Sequence, residues 1–399
     1  MSSWLPVCLL ASALIVRATK KKIWHLSPLL KENQPNYPIR RPTKKSITSF
    51  SNIKTISDLR RLASSLKSPL PALLPREFIP SERTDDGAIR ILQFNILARG
   101  LSSPPNNGGF ILSPVASLHF EHYRKYRLLE EILRFHPDIV TLEELDQYDD
   151  FFQPLMNKFG YDSIFQPKLD APTLGIWTEI MTEKDRLGQI PYNSDGSAIF
   201  WKRSGFEGVQ SRSLNYSSKD GTPHTQVGVV ARLLNKKNGL TFLVACTHLK
   251  SKPPHEAKRV QQITQFMDYV FAMQTSKDEP IVLTGDFNAD PNNDVHTAAS
   301  ARLTSAYQQL LGSEPAYTTC KVRKKGEACH TIDYIFLSNG AQVTSCLSIP
   351  EYSTLPTERI PTWSYPSDHL SIGADVLLWP TTTARIATSS RTCNDRNLN

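Results

Sequence analysis

The sequence predicts an α/β domain built on a parallel or mixed sheet. Three observations predict it. Short β-branched and aromatic runs alternate with amphipathic helical stretches over residues 88–380. Of the 399 residues, 40% are apolar and 9% aromatic, enough for a sizeable core. Strand-like runs also end repeatedly in Asn, Asp, Glu or His, as expected of a sheet with functional groups at one edge.

The first strand is IRILQFN at 89–95. His122–Phe135 then reads as a helix: Leu128, Leu129, Ile132 and Leu133 form one stripe, and the run stops ahead of Pro137. Ile139–Leu142 is a short apolar run ending in acids. Further strands are expected at 197–202, 226–233, 241–247, 281–285, 332–337 and 370–378. A second helix is expected from 256 to 274, with Val260, Ile263, Met267 and Val270 on one face.

Charge divides the chain. The formal net charge is +8, from 46 Lys and Arg against 38 Asp and Glu. Nine of those cations and one acid, Glu32, lie in the first 50 residues, leaving 37 of each sign beyond. The body therefore has no overall cationic excess, which weighs against a long polyanion as partner. Residues 4–16 are apolar but too short to span a bilayer, and the positive charge follows them. The acid-poor segment 1–32 fits a mitochondrial transit peptide better than a signal anchor or a plain tail, so mitochondria are expected, with the cytoplasm as a second compartment. Residues 33–87, rich in Pro, Ser and Lys, read as a linker with a short helical pattern at 57–67 and an end that packs on the domain, and 381–399 as a polar tail. Cysteines at 8, 246, 320, 329, 346 and 393 form no CxxC pair. Neither a disulfide-stapled domain nor a structural zinc module is expected.

The polar strand ends carry the chemistry. Asn95 ends the first strand, Glu144 follows the third run, and His248 follows 241–247. Asp286 and Asn288 follow 281–285, Asp333 opens TIDYIF, and Asp368 and His369 precede the last strand. If the sheet gathers these ends, they form one cluster of carboxylates, amides and imidazoles. Its oxygen donors, without thiolate, favour Mg²⁺ first and Mn²⁺ second. A carboxylate–imidazole pair handles a proton near neutral pH. Together these suit water attack on a phosphate ester. The chain has no GxxxxGK[ST] loop and no GxSxG, which disfavours a nucleotide-driven kinase and an esterase.

QFNILA (93–98), LEEL (142–145), THLK (247–250), GDFN (285–288), TIDYIF (331–336) and SDH (367–369) occur in the order of the endonuclease/exonuclease/phosphatase superfamily, which the chain resembles. The resemblance implies a four-layer α/β/β/α sandwich of the DNase-I-like type, with a Mg²⁺-dependent phosphoesterase site between the tops of two sheets. Within it, FQPL (152–155), QPK (166–168), SDGSAIF (194–200), SEPAYTTCKVR (313–323) and WSYPSDHLS (363–371) look like the nocturnin group. That group implies removal of the 2′-phosphate from NADPH and NADP⁺. The alternative is a poly(A)-specific 3′ exoribonuclease with the same metal site, and a third reading is an inactive scaffold.

Carried over by motif, Glu144 is the Mg²⁺ ligand with Asn95 beside it. Asp286 orients or activates water, and Asn288 holds a phosphoryl oxygen. His369 contacts phosphate with Asp368 orienting it, Asp333 completes the metal's outer shell, and His248 is a further phosphate contact. Substrate recognition falls to Lys168, Lys250, Lys252 and Arg323. The implied partner is a small dinucleotide, with RNA only in the alternative, no stable membrane span and a monomeric chain. Three departures stand out: Glu143 where Gln is usual before the metal Glu, Lys252 where Arg is usual, and Cys320 where an aromatic is usual. Residues 171–190, with Trp177 and Met181, look like a variable loop.

Overall fold

The computed structural model describes residues 50–80, 87–102, 109–169 and 194–380. The expected targeting segment, the first part of the linker, the variable loop with Trp177 and Met181, and the polar tail lie outside the described residues. Among those described, no helix is long and apolar enough to cross a membrane.

Helix α1 (Ile56–Ala63) lies in the segment expected to be linker. Thr55 and Asp58 form a reciprocal capping box at its start, a device contributing about 1 kcal/mol. Its buried Leu59 joins the core beside α2 (Lys125–Leu133). Strands β1 (Phe78–Ile79), β2 (Ile89–Asn95), β3 (Ile139–Glu143), β4 (Tyr161–Pro167) and β5 (Gly196–Lys202) follow, with helix α3 (Gln153–Lys158) before β4. Then come β6 (Phe206–Ser217), β7 (Pro223–Asn235), β8 (Thr241–His248), α4 (Glu256–Met273) and β9 (Ile281–Asp286). The chain continues through α5 (Asp294–Ser300), β10 (Thr304–Ser305), α6 (Ala306–Leu311), β11 (Thr319–Arg323) and β12 (Gly326–His330). It closes with β13 (Asp333–Leu337), β14 (Ala341–Leu347) and β15 (Ile372–Leu378).

Seven strands form one sheet in the order β1-β14-β15-β2-β3-β5-β4, and six form another in the order β10-β13-β9-β8-β7-β6. Between them lies a core of Ile91, Ile139, Ile199 and Trp201 from the first sheet against Val229, Val244, Val282 and Ile335 from the second. The outer face of the first sheet is covered by α1, α2 and α3, and that of the second by α4 and α5. This is the expected α/β/β/α sandwich. The β6 strand escaped the sequence pattern because its row is broken by exposed and half-exposed polar residues, as befits an edge strand.

Register explains why the site forms at one end. β2 runs parallel to β3, and β8 parallel to β9, so their carboxyl ends coincide in pairs. β13 runs antiparallel to β9 with Asp333 opposite Asp286, so its start reaches the same edge. β15 runs antiparallel to β2 and begins opposite Gln93, which places the preceding Asp368 and His369 there too.

One expectation is corrected. Cys320 and Cys329 form a disulfide, their Cα atoms 4.0 Å apart. They face each other directly across the β11–β12 hairpin, so strand register brings them together rather than any short spacing. It is a single local staple. Cys246 and Cys346 are free and buried.

Candidate active site

Three loops leave the sheet edge through left-handed backbone: Leu97, Glu144 and Asn288 have φ of 57°, 56° and 51°. Such residues cost about 1–3 kcal/mol each and persist where the surroundings fix them. Gly285 of GDFN is needed for a different reason. A Cβ there would lie 1.9 Å from the Thr247 carbonyl oxygen on β8, so only glycine lets the two strands approach.

Asn95 is fully buried and central. Its Nδ2 donates to Asp286 Oδ2 at 3.0 Å and to Glu144 Oε1 at 3.3 Å, while Oδ1 accepts the Leu97 N–H. Glu144 is half-buried, and its Oε2 accepts the Ala98 N–H at 3.0 Å. Burial drives Asp286 up to about 7, with Asp333 adding to the rise and His369 opposing it. Its Oδ1 accepts the Asn288 N–H at 2.8 Å. Asn288 turns its own amide to the Leu249 carbonyl at 3.0 Å.

The Asp333–His369 pair is buried. His369 Nδ1 lies 2.9 Å from Asp333 Oδ2, and its Nε2 lies 3.8 Å from Asp286. Burial alone would favour the neutral ring, but Asp333, Asp286 and Asp368 together raise it to about 10. Thr318 Oγ1 and Gln93 Nε2 donate to the same Asp333 carboxylate, at 2.6 and 3.1 Å. The expectation that Asp368 orients His369 is therefore replaced: Asp333 holds the ring. Asp368 instead accepts Lys321 Nζ at 2.5 Å, with Arg323 at 3.7 Å. Those cations and His369 keep its carboxylate well below the usual range despite burial.

His248 sits 3.6 Å from Asp286 through Nε2, and its Nδ1 is buried with no hydrogen-bond partner among the described residues. Burial and the charges of Lys168 and His369 hold it well below its ordinary value, so it is neutral. Lys168, nearly buried, pairs with Asp195 at 2.5 Å. Burial opposes its charge, but Asp195 and Glu144 outweigh that and raise its pKa. Lys250 is half-buried and shifted down by burial and by Lys258, Lys252 and Lys168. Lys252 is exposed, at φ 80°. Arg323 lies 4.1 Å over the Phe110 ring.

Glu143 lies between the sheets beside the site, sharing the Gln93 Nε2 donor with Asp333. It accepts Gln93 Nε2 at 2.8 Å and the Cys246 Sγ–H at 3.1 Å, and burial pushes its pKa far up. Four contributors escaped the sequence reading. Lys321, Asp195 and Gln93 lie inside family motifs, and strand alternation from Thr319 through Arg323 signals the first. Arg124 gave no such signal. Arg124 is buried, and its guanidinium donates to the carbonyls of Ile96, Leu97 and Pro366, tying the loop after β2 to the loop before β15.

Asp286, Asp333 and His369 present ligand atoms within 4.8 Å of one another. Asp333 takes His369 Nδ1 and leaves Nε2 toward Asp286, an arrangement suited to relaying a proton and charge. The carboxylates of Glu144 and Asp286, bridged by the Asn95 amide, fit a hard divalent cation.

Residues 92–369 match the Endonuclease/Exonuclease/phosphatase family. The chain is 35% identical to nocturnin of Xenopus laevis over 318 residues, covering 76% of this chain and 77% of that one. It superposes on the human nocturnin catalytic domain with bound sulfate at a TM-score of 0.60 and 31% identity, covering 76% and 97% of the two chains. ANGEL2, a 2′,3′-cyclic phosphatase, shares the fold at a TM-score of 0.62 and 21% identity, covering 77% and 99%. The converging strand ends, the buried acid–imidazole pair and these likenesses agree: the chain belongs to the endonuclease/exonuclease/phosphatase family, in its nocturnin group, and is a metal-dependent phosphoesterase.

Proposed function

We propose that the chain removes the 2′-phosphate from NADPH and NADP⁺ with Mg²⁺, giving NADH and NAD⁺. One observation carries this reading: several cations act on one buried hydrolytic centre at His248. Neutral His248 feels Lys168 and Lys250, from the loops after β4 and β8, and Lys321, from β11. A small, multiply phosphorylated substrate needs such local cations, whereas a polynucleotide benefits from an extended basic track. Sulfate bound by the human nocturnin domain supports an anion pocket here.

Glu144, with Asn95 and Asp286 beside it, would hold Mg²⁺, which polarises a phosphoryl oxygen and offsets developing negative charge. Asp286, raised by burial, accepts a proton from the attacking water. His369, charged and fixed by Asp333, offers its Nε2–H to the phosphate as charge builds. His248 donates a neutral hydrogen bond beside it. Asn288 fixes Asp286 through its backbone N–H. Lys168, Lys250, Lys321 and Arg323 capture the remaining phosphates, and exposed Lys252 adds point charge at the rim.

The test is a paired assay with Mg²⁺. Inorganic phosphate released from NADPH, lost in Glu144→Ala, is the expected result. AMP released from poly(A), with no phosphate from NADPH, would transfer the chain to the deadenylase reading.

A further inference from the structure

The β11–β12 hairpin belongs to neither large sheet. A lone two-stranded hairpin is marginal in water, so whatever braces it governs what it presents. Thr319, Lys321 and Arg323 share one face of β11. All three meet Asp368: Thr319 Oγ1 donates to its carbonyl at 2.6 Å, Lys321 to its carboxylate at 2.5 Å, and Arg323 lies 3.7 Å away. Thr319 also forms a β-bridge with His369. Between these contacts sits Cys320, bonded to Cys329 across the hairpin. Cys320 is buried in the core that covers the first sheet, whereas Cys329 is only partly buried at its margin. Cys329 is the less buried of the two, so its sulfur is the one an incoming thiolate reaches first.

We propose that Cys320–Cys329 is a reversible thiol–disulfide site that sets how firmly the hairpin holds Lys321 and Arg323 for substrate phosphate. The inference deepens the phosphatase reading and rests on it for its kinetic consequence. The exchange balances with a small dithiol as reductant. One dithiol sulfur attacks Cys329 Sγ, the protein S–S bond breaks, and Cys320 leaves as thiolate. The second dithiol sulfur then attacks the mixed disulfide, releasing Cys329 and closing the reagent's own disulfide. Two electrons and two protons pass from the dithiol to the protein, and a small oxidised disulfide runs the reverse. The two free cysteines among the described residues are poor rivals: Cys246 gives its S–H to Glu143 inside the core, and Cys346 is equally buried. Opening the staple removes the one covalent link across the hairpin and leaves its hydrogen bonds, its ion pairs to Asp368 and its buried Cys320, so the cations on β11 hold their positions less of the time.

The test uses the full chain, oxidised and dithiol-reduced. Thiols are capped and linkages mapped by peptide mass, hydrogen exchange is followed across residues 319–330, and kinetics are measured on NADPH. The oxidised protein is expected to yield a linked Cys320–Cys329 peptide. Reduction should speed exchange in the hairpin and raise KM for NADPH about five-fold or more, with kcat changed less than about two-fold, as for a weakly coupled element. Cys329→Ser should match the reduced enzyme and ignore the dithiol. Absence of the linked peptide, unchanged exchange and KM on reduction, or a Cys329→Ser protein that still responds would overturn the inference. So would uptake of one zinc ion by the reduced pair that blocks reoxidation, since Glu327 lies with these two sulfurs. If NADPH is not a substrate, hairpin exchange still decides the disulfide's role, and only the phosphatase reading falls.

Discussion

Asp333 faces Asp286 across the β9–β13 ladder while its carboxylate holds His369 Nδ1 at 2.9 Å. One imidazolium is thereby shared between two buried acids on paired strands. This is why burial, which disfavours its charge, loses to Coulomb attraction.

Asp333→Asn should therefore lower kcat by about 10²-fold or more, the scale of a positioned acid–base group. The ring should also titrate nearer 6.5 than the value of about 10 it has in the intact site. The sign for stability follows from the raised value. The pair's contribution is fully present below 6.5 and is lost as pH rises through about 10. Denaturant unfolding should show the wild-type advantage over Asp333→Asn shrinking across that window. A wild-type His369 resonance that titrates at 6.5 by NMR would end the argument.

Glu144→Ala should abolish phosphate release while leaving the fold intact, because Glu144 is only half-buried and its bonds are to Asn95 and one backbone N–H. Its melting temperature should stay within about 4 °C of wild type, a change of about 1 kcal/mol or less. Mg²⁺ should raise the wild-type melting temperature by mass action and leave the variant's unchanged. Equal Mg²⁺ stabilisation of both proteins would place the ion elsewhere.

Glu143→Gln tests a neutral acid. Glu143 is held protonated by burial, so glutamine keeps its shape, with its oxygen toward Gln93 and its amide toward the Cys246 sulfur. Above 4.5 the unfolded glutamic acid ionises but the folded one does not, so wild type loses stability as pH rises through that value. Glutamine escapes this loss. The variant should be the more stable by about 1–3 kcal/mol at neutral pH and no more stable below 4.5, with kcat little changed. Urea midpoints at the two pH values measure it, and a variant less stable at neutral pH would show that Glu143 is buried as a carboxylate.

Most strands and both long helices were legible because their apolar periods are clean. Ile139–Glu143 and Ile281–Asp286 are buried along their whole length, and α4 runs from Glu256 to Met273, close to the stretch its stripe marks. The site residues were legible as strand ends, since polar groups at the close of apolar runs need a reason. What stayed hidden depends on register and on distance along the chain. Nothing near Asp333 in sequence says that His369, rather than a metal, takes its oxygen. Cys320 and Cys329 meet only once β11 and β12 pair. Asp195 and Lys168 are separated by residues outside the described structure, so their pairing had no local signature.

That last pair separates folding from recognition. Lys168 Nζ lies 2.5 Å from Asp195, whose side chain is 1% exposed. Lys168→Met strips a buried carboxylate of its ammonium, which costs about 3–5 kcal/mol. It also removes a cation facing Glu144 and Asp286, so KM for NADPH should rise about ten-fold, equivalent to about 1.4 kcal/mol of lost charge-assisted contact. Adding Asp195→Asn removes the carboxylate's own charge and should restore part of the stability, read from the denaturant midpoint. It cannot restore the cation, so KM should stay high. If the double variant recovered both, Lys168 would be a structural partner of Asp195 with no part in holding phosphate.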